Sequence, residues 1–351
     1  MFALNVHAAY ACGRSGACCT AGWSIPVEAH LQSRLGVHWL VPDSEGTCPE
    51  FDRPSALCRL QRDHGEAMLP ESCHHFPRRA LIDDRGTSIA LSLFCPTAAA
   101  LLLDTDGPLA VVENPSAFPL ERTYDGLDAR GEWPPLLRPD VLFDPESFTA
   151  WERFLVGVLG ASADSVEATL ARIAGAGERL RPWHAGGGTL LDWTTQVLRM
   201  EAGAEAGAMP DAAARYRRFT GTDAFIRVAA SVPAGLTAPT LPPRFDVDAA
   251  RLVAPLWDVW APQVLRYLGA RAFASWTAYQ SRGLRAQLAE LHVAAAVLFV
   301  ECVRACQARG TSLDRRAMLD AVRASDLLLV HLANRDALVA WIGEAEHDAR
   351  A

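Results

Sequence analysis

The sequence contains no lysine, so all 33 of its basic residues are arginine. A chain rich in arginine and alanine is what a high-GC genome writes, and the absence is first a fact about codons. Positive charge is short overall as well. Against 33 arginines stand 41 acidic residues, a formal net charge of -8, which argues against a nucleic-acid backbone as the main partner. No positive charge precedes Arg14, so the basic start of a secretory signal is missing. Long hydrophobic runs are lacking too: the longest weakly polar stretch, Thr87 to Leu103, is interrupted by Cys95-Pro96 and falls short of the ~20 apolar residues of a spanning helix. The chain is therefore expected to be cytoplasmic, with neither a membrane nor a nucleic acid as partner. Its 351 residues suffice for one or two domains with a sizeable core, and no internal repeat or low-complexity tract is visible.

Cysteine is present and unevenly placed. Of nine, seven lie in the first 95 positions: Cys12, Cys18, Cys19, Cys48, Cys58, Cys73 and Cys95. Disulfides fit poorly, because the count is odd, no export signal is seen, and vicinal Cys18-Cys19 cannot join without severe strain. Buried packing cysteines follow a hydrophobic period, whereas these sit beside turn-formers, as in Cys12-Gly13, Cys48-Pro49 and Cys95-Pro96. Thiolates at loop ends converge readily on an ion or cluster, so metal or iron–sulfur binding is the expectation. The pattern C-x5-C-C, followed by gaps of 28, 9, 14 and 21 residues, lacks paired zinc knuckles and suits an iron–sulfur cluster better, with zinc as the alternative. His64, His74 and His75 are candidate substitute ligands, each read first as a surface or supporting residue.

Read as phrases, SGACCTAGWSIPVE, GTCPEFDRPSALCRLQRDHGEAMLPESCHHFPR and IALSLFCPTAAALLL resemble the flagellin lysine-N-methylase (FliB-like) family, within the wider set of bacterial YkgJ-type cysteine-cluster proteins described as zinc- or iron-chelating. The matching positions include Cys12, Cys18, Cys19, Gly22, Trp23, Cys48, Cys58, Cys73, Phe76, Pro77, Arg78, Leu91, Ser92, Cys95 and Pro96, all within about the first 105 residues. The resemblance implies methyl transfer from S-adenosylmethionine to lysine side chains of a protein substrate, flagellin, by a protein holding a cluster, most simply 4Fe–4S. Its ligand pool would be the seven cysteines, with Trp23 shielding the cluster and Arg78 neutralising thiolate charge. Thr97 departs from the family, which carries glutamate after Cys95-Pro96. No strand leading into a Gly-x-Gly turn, as in Rossmann-type methyltransferases, is visible; Gly186 to Gly188 read as a linker turn, and a radical-type C-x3-C-x2-C triplet is absent. No catalytic residue is assigned. If the methylase reading holds, the chain has no lysine of its own to methylate.

The expected architecture is mainly α, an irregular N-terminal cysteine-cluster module packed on an α-helical body. Residues 1–104 form the module and 105–146 a connector, proline-rich since Asp104 to Pro145 hold seven prolines; 147–351 form the helical domain, with a proline-rich break near 232–243. Helical periodicity is clear from Asp144 onward, with Phe148, Trp151, Phe154, Leu155, Val158 and Leu159 on one face. It continues at Ser165–Leu180, Thr189–Met200, Leu284–Cys306 and Arg315–Trp341. Cys302 and Cys306 fall on an apolar stripe and read as core. His292, His331 and Asp326 would form an acid–base set if their helices touch, though each reads first as a core or rim residue. Arg215 to Phe219 mixes charge with aromatics and reads first as a solvated helix face, second as an anion site. The rival function is a non-catalytic metal-binding protein whose helical body binds a partner.

Overall fold

The computed structural model describes residues 1–120, 122–131, 134–203, 210–280 and 283–347. The chain is mainly α-helical, and its helices begin where the sequence supplies caps. Asp144 accepts a hydrogen bond from Ser147 N at 2.9 Å and Pro145 occupies the first turn of Pro145–Ala161. Ser165, Asp314 and Asn334 cap Val166–Leu180, Arg315–Asp326 and Arg335–Gly343 in the same way. On the first of these helices Phe148, Trp151, Leu155 and Leu159 are buried, while Phe154 and Val158 flank them half-buried.

At the centre runs Leu284–Arg309, closed by Gly310 in the left-handed conformation (φ 68°). By length and composition this helix would cross a membrane, but 89 % of its most apolar window is buried inside the protein. Burial on every side explains why it is apolar nearly all round rather than on one stripe. Cys302 and Cys306 are fully buried there, among packing side chains. The periodic stretch Arg315–Trp341 is not one helix. It widens to π-type turns over Leu327–Leu332 and breaks before Arg335, a local irregularity of the kind that often marks functional sites.

The N-terminal part is less irregular than the sequence suggests. Five strands, β1 (Phe2–Leu4), β2 (Arg78–Asp83), β3 (Gly86–Leu91), β4 (Val111–Glu113) and β5 (Gly126–Asp128), form a mixed sheet in the order β4-β1-β3-β2-β5. β2 and β3 make an antiparallel hairpin, β1 lies parallel to β3, and β5 parallel to β2. The stretch Thr87 to Leu103 divides into β3, a turn, and the helix Pro96–Asp104, with Pro96 in its first turn.

Two cores result. One is continuous from Leu4, Leu81 and Ile89 of the sheet, through Ala98 and Leu102, to Trp151, Leu288 and Val297 of the helical body. The other is small and lies under the cysteine loops: Ile25, Val27, Leu31, Leu40 and Leu60, with Trp23, Cys48, Cys58 and Cys73 packed against it. Sheet and body are also bonded directly, Trp276 Nε1 donating to Ala80 O at 3.1 Å and Arg323 Nε to Phe94 O at 3.0 Å.

Candidate functional site

The cysteine loops are drawn together by their backbone. Gly16 sits at φ 69°, and a Cβ there would clash with the Ala56 carbonyl and the Phe51 ring, so glycine is required for the first loop to lie on the Phe51–Cys58 hairpin. Cys48 N donates to Cys19 O at 2.7 Å and Gly22 N to Gly46 O at 3.1 Å, fixing the second loop against the first. Glu28 accepts from Glu71 N at 3.2 Å and so anchors the short helix Glu71–His75 that carries Cys73.

The result is a cavity of about 120 Å³ whose walls include Cys12, Cys18, Cys19, Cys58, Cys73 and Cys95. The Cys19 thiol stands at the centre, hydrogen bonded to Cys18, Cys48 and Cys58. Those bonds hold Cys18, Cys48 and Cys58 below the ordinary thiol value, Cys58 to about 6, helped by the Leu60 and Gln61 N–H groups at the start of the helix after it. The same contacts push Cys19 up, and burial pushes Cys73 up. Cys95 lies at the other end, 3.5 Å from the Tyr10 hydroxyl, and Cys12 accepts from Arg14 N at 3.4 Å. Thr97 reaches across to Gly13, where a Cβ would stand 2.5 Å from its Oγ1. Among the described residues, no three His, Cys, Asp or Glu side chains already surround a common point as metal ligands do; the thiols face one another.

Behind this cavity, sharing Phe76 and Arg78 with it, lies a second pocket of about 300 Å³ walled by Trp23, Phe76, Trp276 and His331. Trp23 packs on the His331 ring at 4.6 Å and on Phe76 at 5.9 Å, and lines this pocket rather than the sulfur cavity. Ser92 Oγ donates to Asp326 Oδ2 at 2.6 Å, and its oxygen lies 2.7 Å from His331 Nε2. Since the hydroxyl has one proton and gives it to the carboxylate, His331 must donate through Nε2, which assigns an unprotonated Nδ1. Burial pushes the His331 pKa down to about 4, so the ring is neutral at pH 7. The π-type turns after Asp326 place His331 on the same hydroxyl as the carboxylate five residues before it.

Two of the three expected acid–base residues thus meet, at Ser92, while His292 stacks on Tyr216 at 4.7 Å and lines a separate apolar cavity of about 500 Å³ in the helical body. Ser92 belongs to the Leu91-Ser92 phrase of the resemblance, the one sequence signal that pointed to it. In Arg215 to Phe219 the aromatics Tyr216 and Phe219 are buried, Arg217 and Arg218 are exposed, and Arg218 pairs with Glu344 at 3.3 Å. His64 is exposed, His74 accepts from Arg122 at 2.8 Å, and His75 bonds Glu71 at 3.0 Å. Gly186 lies in an exposed 3-10 turn.

No protein-family profile and no solved structure matches the chain. Among curated proteins it is similar to the flagellar biosynthetic protein FliU of Salmonella muenchen, 30 % identical over 89 residues, 24 % of this chain and 52 % of that protein. It is likewise similar to the lysine-N-methylase of Salmonella typhimurium, 30 % identical over 86 residues, 24 % of this chain and 21 % of that one. The matched part thus spans about half of the first relative and a fifth of the second, and the similarity to a lysine-N-methylase is distant and confined to that part.

Proposed function

We propose that the chain is a FliB-like protein lysine N-methyltransferase that uses S-adenosylmethionine, acts on a protein substrate such as flagellin, and holds an iron–sulfur cluster on its N-terminal cysteines. The observation that carries the reading is the five-thiol convergence of Cys18, Cys19, Cys48, Cys58 and Cys73 back to back with an aromatic pocket. The similarity to lysine-N-methylases over a quarter of the chain supports it.

The thiols fit a cluster or zinc ion by number and chemistry, since four thiolates suffice and three of the five are held below the ordinary thiol value. Ligation requires the Cys19 proton to leave and the thiols to open around the metal. When bound, the centre ties the loops of the module together, so its binding is coupled to their folding. Arg78, on the wall of the thiol cavity, supplies the positive charge that anionic ligands there need.

For methyl transfer, a lysine must enter as the free amine, because the ammonium has no lone pair to attack the methyl carbon. Burial among Trp23, Phe76 and Trp276 disfavours the charged form. Neutral His331 orients the amine as a hydrogen-bond acceptor. With a pKa of about 4 against about 10.4 for an ordinary lysine, it cannot retain the proton, which passes to water.

Anaerobic purification followed by iron, sulfide and zinc analysis tests the centre: iron and sulfide lost in Cys58→Ser are expected, and a colourless one-zinc protein would remove the cluster. The alternative, a non-catalytic zinc- or iron-chelating protein, is favoured by Thr97 standing where the family glutamate is expected; it predicts metal without uptake of labelled S-adenosylmethionine.

A further inference from the structure

Two arginines on the aromatic pocket have no direct ion-pair partner among the described residues. Among the described residues, the Arg79 side chain makes no hydrogen bond or ion pair; it stacks on the Trp276 ring, 4.6 Å from its guanidinium carbon, and shares the longer-range attraction of Glu290 and Asp326 with Arg271 and Arg335. Arg78 next to it has a buried Nε without a partner. Enclosed arginines nearby are paired: Arg271 with Glu290 at 2.5 Å, Arg85 with Glu152 at 3.1 Å and Arg335 with Glu290 at 3.4 Å. The Arg79 guanidinium is surrounded by protein closely enough for burial to push its pKa down to about 10, yet the residue keeps a part-exposed surface on the pocket. Three arginines against two carboxylates leave an excess of positive charge in this enclosed place, and its cost is offset when an anion arrives.

We propose that this pocket seats the amino-acid end of S-adenosylmethionine, its carboxylate on the Arg79 guanidinium with Arg78 beside it. This rests on the methyltransferase reading and adds where the donor binds. A guanidinium stacked on a ring leaves its N–H edge free in its own plane, the geometry that grips a carboxylate through two parallel bonds. Asp125, exposed on the rim, complements the α-ammonium. A volume of about 300 Å³ is that of a small-molecule site.

The test is equilibrium dialysis of labelled S-adenosylmethionine and of its decarboxylated form against the full chain and Arg79→Met. The wild-type chain is expected to bind the carboxylate form at least tenfold tighter than the decarboxylated one. Arg79→Met is expected to bind both alike, its melting temperature being measured alongside to establish that it is folded. Retention of the wild-type preference by Arg79→Met overturns the pocket and leaves the methyltransferase reading standing. Failure of the wild-type chain to bind either compound at millimolar concentration overturns the methyltransferase reading itself, and the pocket assignment with it. Should Arg79→Met fail to fold, Asp125→Ala keeps the question open to measurement: it is expected to weaken both compounds, which share the ammonium, and unchanged affinity for both overturns the pocket.

Discussion

Gly16 shows how one backbone position determines whether the thiols meet. Its left-handed conformation and the contact it leaves for Ala56 and Phe51 admit no side chain. Gly16→Ala is therefore expected to lower bound metal per chain by elemental analysis while the helical circular-dichroism signal persists, because the small core under the loops is separate from the main one. Ser92 holds the other half of the site. In Ser92→Ala, Asp326 Oδ2 keeps the Phe94 N–H at 3.1 Å but loses the hydroxyl, and His331 Nε2 loses its acceptor. A destabilisation of about 1–3 kcal/mol is expected in urea titrations, and no change would show that the network contributes nothing to stability. That the cysteine loops gather was legible, because seven cysteines beside turn-formers in the first 95 residues have few uses. Ser92 as the meeting point of His331 and Asp326 was not, since more than 230 residues separate it from either partner. Nor was Arg79, because its lack of a direct ion-pair partner is a property of the folded surroundings.

Helices were the easiest elements to read, since Phe148, Trp151, Leu155 and Leu159 recur at helical spacing behind an Asp-Pro start. Asp144→Ala should cost about 1 kcal/mol in urea stability through loss of that cap; a loss near zero would mean that packing alone sets the helix start. The sheet escaped notice because β1, β4 and β5 have three residues each, too few to show alternation, and β3 runs on into an apolar helix. Element context also separates two kinds of cysteine. Cys302 is fully buried in the central helix with its thiol pushed well up by burial. Cys302→Ser should therefore lower the melting temperature and leave metal content intact, whereas Cys58→Ser should lose metal while the helical core stays folded. Loss of metal from Cys302→Ser would contradict that division.

For the whole molecule, one continuous core ties the sheet to the helical body, and three enclosed histidines, His7 in the N-terminal part and His292 and His331 in the helical body, make the fold acid-labile. Burial pushes His7, His292 and His331 from 6.5 to about 4 in the folded chain. The unfolded chain then binds more protons between those values, so this stability is full above pH 6.5 and is lost as pH falls toward 4. Each histidine contributes about 3 kcal/mol at most over that window. Urea midpoints should fall steeply from pH 7 to pH 5, and a flat profile would show that these rings are not buried neutral. The proposed division of labour between thiol cavity and aromatic pocket is tested most directly by methyl transfer. Anaerobically prepared protein is incubated with flagellin and S-adenosylmethionine carrying a deuterated methyl group, and the products are digested for mass spectrometry. Because the chain itself has no lysine, every labelled methyl-lysine must lie in the substrate. The expected result is labelled methyl-lysine in flagellin peptides with wild-type protein and none with Cys58→Ser; metal-loaded wild-type protein that leaves flagellin unlabelled would contradict the account.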